Sequence, residues 1–309
     1  MKACRVTEFG GPDVIRLEEV TQPAPGPDQV LLHVAAAGVG PWDAWVRSGQ
    51  SVLKHTLPLT LGADLSGTVV QLGPGVKGFA VGQELFGVTN ERFTGAYAEY
   101  AVADVAGIAP RPQRLSHVEA GGFPVVGVTA WQMLFEHGAA RSGERVLVHG
   151  AGGNVGALAV QMARAVGASV MGTDIGEGVG YARSLGDGPI VDMKRERFED
   201  QFRDIDLVLD TVGGEVQRRS FDVLKPGGRL ISSVSQPEPA LAAAHGVEAK
   251  FMLVKVTTVA LLKLGELLES GQLVARVGAV LPLARARDAH EMLAGVQPRP
   301  PGKLVLQVP

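Results

Sequence analysis

The chain has 309 residues, of which 46% are apolar and 20% charged, and its net charge is −3. That length exceeds one average domain, and the composition is that of a globular protein with a large core. No basic patch serves nucleic acid or an anionic membrane, no apolar stretch reaches bilayer length, and the single Cys4 excludes an intrachain disulfide and a cysteine-based metal site.

The amino terminus, Met1-Lys2-Ala3-Cys4-Arg5, turns polar at once and has no signal-peptide core, so a cytoplasmic location is expected. Strands are predicted over residues 30–37, 67–73 and 97–102, separated by Gly and Pro turns, in the manner of a barrel or sandwich lobe. From about Ser116 the pattern changes. Strand 145–149 runs into Gly150-Ala151-Gly152-Gly153-Asn154-Val155-Gly156, and a helix follows over 157–166, stopped by Gly167. Strand 169–173, a helix through 182–185, strand 205–209, a helix over 216–224 and strand 229–232 come next. Such alternation predicts an α/β doubly wound parallel sheet. Amphipathic helices near 259–269 and 284–293 precede a strand at 303–308, which is free to return to the first lobe.

A strand, closely spaced glycines and a helix bring backbone N–H groups and a helix N-terminus up to a pyrophosphate. Gly150, Gly153, Asn154, Val155 and Gly156 are therefore cofactor candidates, the alternative being a purely structural turn. Asp174 follows the second strand, 18 residues beyond Gly156. A dinucleotide site wants an acid roughly 20 residues on, to accept from the adenosine ribose. A carboxylate there repels a 2′-phosphate, and residues 175–180 contain no Lys or Arg to bind one. The cofactor reading is NAD(H) or NADP(H), leaning to NAD(H). The competing reading makes Asp174 a turn cap.

These pieces resemble the medium-chain dehydrogenase/reductase superfamily, and within it the zinc-free quinone oxidoreductase branch. The resemblance rests on Ala37-Gly38-Val39-Gly40-Pro41-Trp42-Asp43 with Arg47-Ser48-Gly49, on Leu61-Gly62-Ala63-Asp64-Leu65-Ser66-Gly67, on Gly95-Ala96-Tyr97-Ala98-Glu99-Tyr100, on Gly127-Val128-Thr129-Ala130-Trp131 and on Gly302-Lys303-Leu304-Val305-Leu306. It implies a GroES-like β-barrel lobe from residues 1–118 and 271–309, a Rossmann lobe from 119–270 and a homodimer. It places Thr129, Val212, Ser232 and Ser233 beside the cofactor. The zinc enzymes of the superfamily carry a cysteine and a histidine where this chain has Gly40 and Ala63, so no metal is expected. Members of the quinone branch commonly carry asparagine at the place of Gly40.

The implied reaction is hydride transfer from NAD(P)H to a quinone or an α,β-unsaturated carbonyl compound. An enoyl-thioester reductase of polyketide-synthase type and a non-catalytic nucleotide-binding sensor are the alternatives. Asp43 and Asp64 are the polar catalytic candidates, each alternatively a capping carboxylate, and Trp45 is a candidate wall for a planar substrate. His55, His137, His149 and His290 show no pairing pattern. The tyrosines have no lysine four residues on, which rules out the short-chain Tyr-x-x-x-Lys pair, and there is no Gly-x-Ser-x-Gly elbow or Walker lysine.

Overall fold

The computed structural model describes residues 1–309. The chain divides into two compact units, Met1–Val125 with Val256–Gly271 and Ala275–Pro309, and Val126–Lys255 with Gln272–Val274.

The first unit holds ten strands in chain order: β1 (Lys2–Val6), β2 (Arg16–Glu19), β3 (Gln29–Val39), β4 (Leu59–Thr60), β5 (Asp64–Leu72), β6 (Glu84–Val88), β7 (Tyr100–Asp104), β8 (Ile108–Pro110) and, after the second unit's six, β15 (Val277–Pro282) and β16 (Lys303–Gln307). A seven-stranded sheet runs β15-β16-β3-β5-β6-β8, with β7 also on β3; β2-β1-β4 make a smaller sheet. The apolar run in β3 is buried almost throughout, which is why it lies centrally and pairs with β5, β7 and β16. As expected, the C-terminal strand returns: Leu304 pairs with Val39 and Leu306 with Ala37. The core gathers Leu32, Val34, Leu65, Leu85, Ile108, Leu304 and Leu306.

Two local expectations shift in this unit. The strand expected over 97–102 begins at Tyr100, because Tyr97 is instead fully buried with its carbonyl accepting from Cys4 N at 2.8 Å. Helix Thr258–Glu269, within the expected Rossmann span, belongs to the first unit. Its buried face is Leu261, Leu264 and Leu268, and Thr258 Oγ1 lies 2.8 Å from the carbonyls of both Val105 and Ile108.

The second unit is an all-parallel sheet of β9 (Arg145–His149), β10 (Ser169–Asp174), β11 (Ile190–Asp192), β12 (Ile205–Asp210), β13 (Leu224–Ser232) and β14 (Glu248–Phe251). Its order, β11-β10-β9-β12-β13-β14, is the doubly wound 3-2-1-4-5-6 arrangement. The helix expected over 216–224 stops at Arg219, and a 3-10 turn over Ser220–Asp222 leads directly into β13. Phe221 and Val223 are both buried, and a continued helix would point them about 200° apart. No helix in the chain is long and apolar enough to cross a membrane.

Two fully buried histidines make the fold acid-sensitive. Ser220 Oγ donates to the Val216 carbonyl, so it accepts from His149 Nε2 at 2.9 Å, and His149 Nδ1 accepts from Thr173 Oγ1 at 2.8 Å. Arginine has no acceptor, so Arg47 Nη1 donates to His290 Nδ1 at 2.8 Å and leaves the proton on His290 Nε2, buried without a partner. Burial lowers the imidazole pKa of His149 to about 4 and, with the Arg47 charge, that of His290 to about 3. The unfolded chain takes up these protons below roughly pH 6.5, so the stability these two histidines contribute is complete above that pH and falls as pH drops towards 4. Asp43, whose carboxyl burial raises to about 7, and Asp64, also raised by burial, act in the opposite sense, so the imidazole contribution is read from the difference between wild type and a histidine variant. Between pH 6.5 and 4 the urea midpoint of His290→Gln is expected to fall less, or rise more, than that of wild type. Equal slopes in the two proteins would count against this account.

Candidate active site

The second unit's site is the strand-to-helix junction after β9. Helix Asn154–Ala165 begins at Gly153 with no side-chain cap, so the first-turn N–H groups of Asn154, Val155 and Gly156 have neither an intrahelical nor a side-chain acceptor. A β-carbon on Gly156 would sit 2.1 Å from the Gly150 carbonyl oxygen, so glycine there is demanded by the chain's own packing. Gly153 differs: it is exposed, and its β-carbon would meet only Gly150 O, at 3.1 Å. An open, uncapped N-terminus of a 12-residue helix fits a pyrophosphate.

Asp174 ends β10, half-buried. Its Oδ2 accepts from Gly152 N at 2.6 Å and its Oδ1 from Ile175 N at 2.7 Å. The carboxylate therefore braces the glycine loop, as the capping alternative foresaw, and each oxygen keeps a lone pair for a further donor. Beside it, past β12, Val212 is exposed and Ser232 is buried. Ser232 Oγ donates to Asp210 Oδ2 at 2.8 Å, and Asp210 also accepts from Val212 N, Gly213 N and Gln217 Nε2. Asp210, which sequence reasoning passed over, thus fixes the turn carrying Val212. Ser233 N donates to the Asp210 carbonyl at 3.1 Å, and Thr129 lies buried in helix Pro124–Trp131.

In the first unit Asp43 and Asp64 are fully buried in one cluster. Asp43 Oδ2 accepts from Gly40 N at 2.8 Å and from Tyr97 Oη at 3.1 Å, capping helix Pro41–Ser48; its Oδ1 has no partner. Burial pushes its carboxyl up to about 7. Asp64 Oδ1 accepts from Val125 N at 2.9 Å and its Oδ2 from Lys303 Nζ at 3.1 Å. Burial raises the Asp64 carboxyl, and Lys303 restrains that rise. Lys303 Nζ also stands 4.1 Å from the centre of the Trp42 ring. Trp45, one turn away, is 44% exposed and takes no part in the cluster.

Lys303 and Trp42 were not among the sequence candidates. Lys303 reaches Asp64 across 239 residues of chain, and no local pattern signals that. Trp42 explains Gly40: a β-carbon there would lie 2.3 Å from Trp42 Cζ2 and 2.4 Å from Cη2. The indole occupies the space that any side chain at position 40 would need.

Comparison with known proteins agrees with this architecture. Residues 26–113 match the family model described as alcohol dehydrogenase GroES-like domain, and residues 185–306 the model described as zinc-binding dehydrogenase. Human quinone oxidoreductase is 30% identical, with 94% of this chain and 93% of that protein covered. The 2-methylene-furan-3-one reductase of Solanum lycopersicum is 36% identical over 75% of this chain and 61% of its own length. The quinone oxidoreductase of Coxiella burnetii superposes with a TM-score of 0.92 at 30% identity, covering 100% of this chain and 99% of that one.

The chain belongs to the medium-chain dehydrogenase/reductase superfamily, as a quinone oxidoreductase-like member. It is an NAD(P)H-dependent oxidoreductase. In this family member, no three His, Cys, Asp or Glu side chains gather as metal ligands. Gly40 and Ala63 carry no donor atoms, and Cys4 is buried with Sγ 3.3 Å from the Leu283 carbonyl, its thiol pushed up to about 12 by burial.

Proposed function

We propose that this enzyme transfers hydride from NADH, in preference to NADPH, to a quinone or an α,β-unsaturated carbonyl compound without a metal ion. The observation that carries the cofactor reading is the uncapped helix N-terminus at Gly153, with Asp174 beside it and no Lys or Arg in residues 175–180. The substrate class rests on the names of the relatives, a quinone oxidoreductase and a 2-methylene-furan-3-one reductase. Metal independence rests on the absence of donor atoms at Gly40 and Ala63.

In this reading the first-turn amides of Asn154, Val155 and Gly156, with Gly150 and Gly153 opening the loop, hold the pyrophosphate. Asp174 orients the adenosine ribose while bracing Gly152. Val212, Ser232, Ser233 and Thr129 line the remainder of the cofactor site, with Asp210 setting the turn. The bound nicotinamide supplies the hydride, and the chain supplies binding, orientation and exclusion of water. Asp43 and Asp64 act as positioning residues, because three of their four carboxylate oxygens are engaged by Gly40, Tyr97, Val125 and Lys303 and the fourth, Asp43 Oδ1, is buried. Trp45 offers a flat exposed face to a planar acceptor. A homodimer formed through the second unit is consistent with β14 lying at the sheet edge.

The test is turnover of 1,4-benzoquinone with each cofactor, together with titration of wild type and Asp174→Ser by NADH and NADPH. Wild type is expected to turn over and to bind NADH the more tightly, and Asp174→Ser to lose that preference by roughly tenfold. A wild-type preference for NADPH refutes the cofactor reading. Tight cofactor binding without turnover of quinones or enones refutes the reaction.

A further inference from the structure

The first unit contains a cavity of about 500 Å³ that shares no lining residue with the Gly40–Asp64–Lys303 cluster. Its lining combines apolar residues, among them Pro23, Pro58, Leu59 and Val102, with the basic Arg5 and Arg92. No carboxylate lines it. Its volume lies in the ordinary range for small-ligand sites, roughly 300–1,000 Å³.

The two arginines are not equivalent. Arg5 is engaged by Glu18 at 3.2 Å from outside the cavity. Arg92 pairs with no carboxylate; its only side-chain contact is a long one, 3.5 Å, to the Lys54 carbonyl. The turn that carries it is braced in advance. Asn90 Oδ1 accepts from Arg92 N at 2.9 Å, while Asn90 Nδ2 and Thr89 Oγ1 both donate to the Thr94 carbonyl, at 2.8 and 2.7 Å. His55 also lines the cavity, within reach of the Arg92 charge, and its Nε2 is buried without a hydrogen-bond partner. A buried polar atom is normally satisfied, so an orphan in the same cavity as an unneutralised guanidinium marks a place for a ligand group. Burial and then Arg92 lower the His55 pKa, which keeps the ring neutral and its Nε2 available as a hydrogen-bonding group.

We propose that this cavity binds a small organic anion, with its carboxylate or phosphate head on Arg92 and His55 Nε2 and its apolar body against Pro58, Leu59 and Val102. The guanidinium fork matches either head group in two parallel hydrogen bonds, and the same chemistry serves both.

The test uses the full chain and three probes: benzoate, phenyl phosphate and the neutral benzyl alcohol. The ring proton of His55 is followed by NMR, with its signal assigned by His55→Gln. At least one anion is expected to shift that signal saturably while benzyl alcohol does not, and Arg92→Gln to weaken the anion roughly tenfold. The tighter of the two anions identifies the head group. Arg92 is exposed, and circular dichroism of Arg92→Gln checks that the fold is kept. The proposal is overturned if neither anion gives a saturable shift, if benzyl alcohol binds as tightly, or if Arg92→Gln leaves anion affinity unchanged.

Discussion

Gly156→Ala is expected to weaken dinucleotide binding at least a hundredfold, about 3 kcal/mol. The added methyl would stand 2.1 Å from Gly150 O, 2.8 Å from Gly150 C and 3.0 Å from Ala151 Cα. All three are backbone atoms, so no side chain can swing aside; the loop must open, and the first-turn amides leave their common focus. The variant also loses stability, since the strained contact lies between β9 and its helix. Gly153→Ala is the informative companion. Its β-carbon meets one atom at 3.1 Å, so the fold tolerates it, but a ligand approaching the exposed Gly153 backbone does not. Calorimetric titration with NADH and urea unfolding separate the two cases. Wild-type affinity in Gly153→Ala would mean that the phosphates do not approach that residue closely.

Lys303→Met is expected to destabilise the chain by about 3–5 kcal/mol, the usual cost of leaving one partner of a buried ion pair alone. The Asp64 side chain is fully buried and that of Lys303 is 5% exposed, so water does not replace the lost charge. The ammonium beside the Trp42 ring disappears with it. Removing both charges is a different matter. In Lys303→Met with Asp64→Leu, most of that loss is expected to return, because only the acceptor for Val125 N remains missing. Urea denaturation of the two single variants and the double variant measures the coupling, and strictly additive losses would show that the pair does not act as a unit.

These two sites differ in how far the sequence disclosed them. The glycine loop is a local pattern: an apolar strand, spaced glycines and an alanine-rich helix lie within one run of chain, and each element formed where its own residues direct it. Asp174 was legible as a position but not as an orientation. The spacing locates it after β10, while the turning of both oxygens onto Gly152 N and Ile175 N depends on how the loop folds back. The Asp64–Lys303 pair was illegible for a plainer reason. Asp64 is marked only as a catalytic candidate and Lys303 only within the last family signature; neither stretch points to the other, and β16 brings them together only by entering the sheet next to β3. Helix boundaries failed where tertiary packing overruled periodicity, as at Phe221 and Val223. The space over Gly40 depends on a rotamer of Trp42, which no spacing rule encodes.

The return of β16 to β3 has a consequence for synthesis. The second unit's parallel sheet is complete once β14 has emerged, whereas the first unit's central strand lacks a neighbour until residues 303–307 are made. During translation β7 covers Gln29–His33, but the Ala36–Val39 part of that β3 edge waits unpaired while a whole α/β unit folds behind it. The part of the chain made first is the part finished last, and its exposed strand edge is where a nascent-chain chaperone has most to protect.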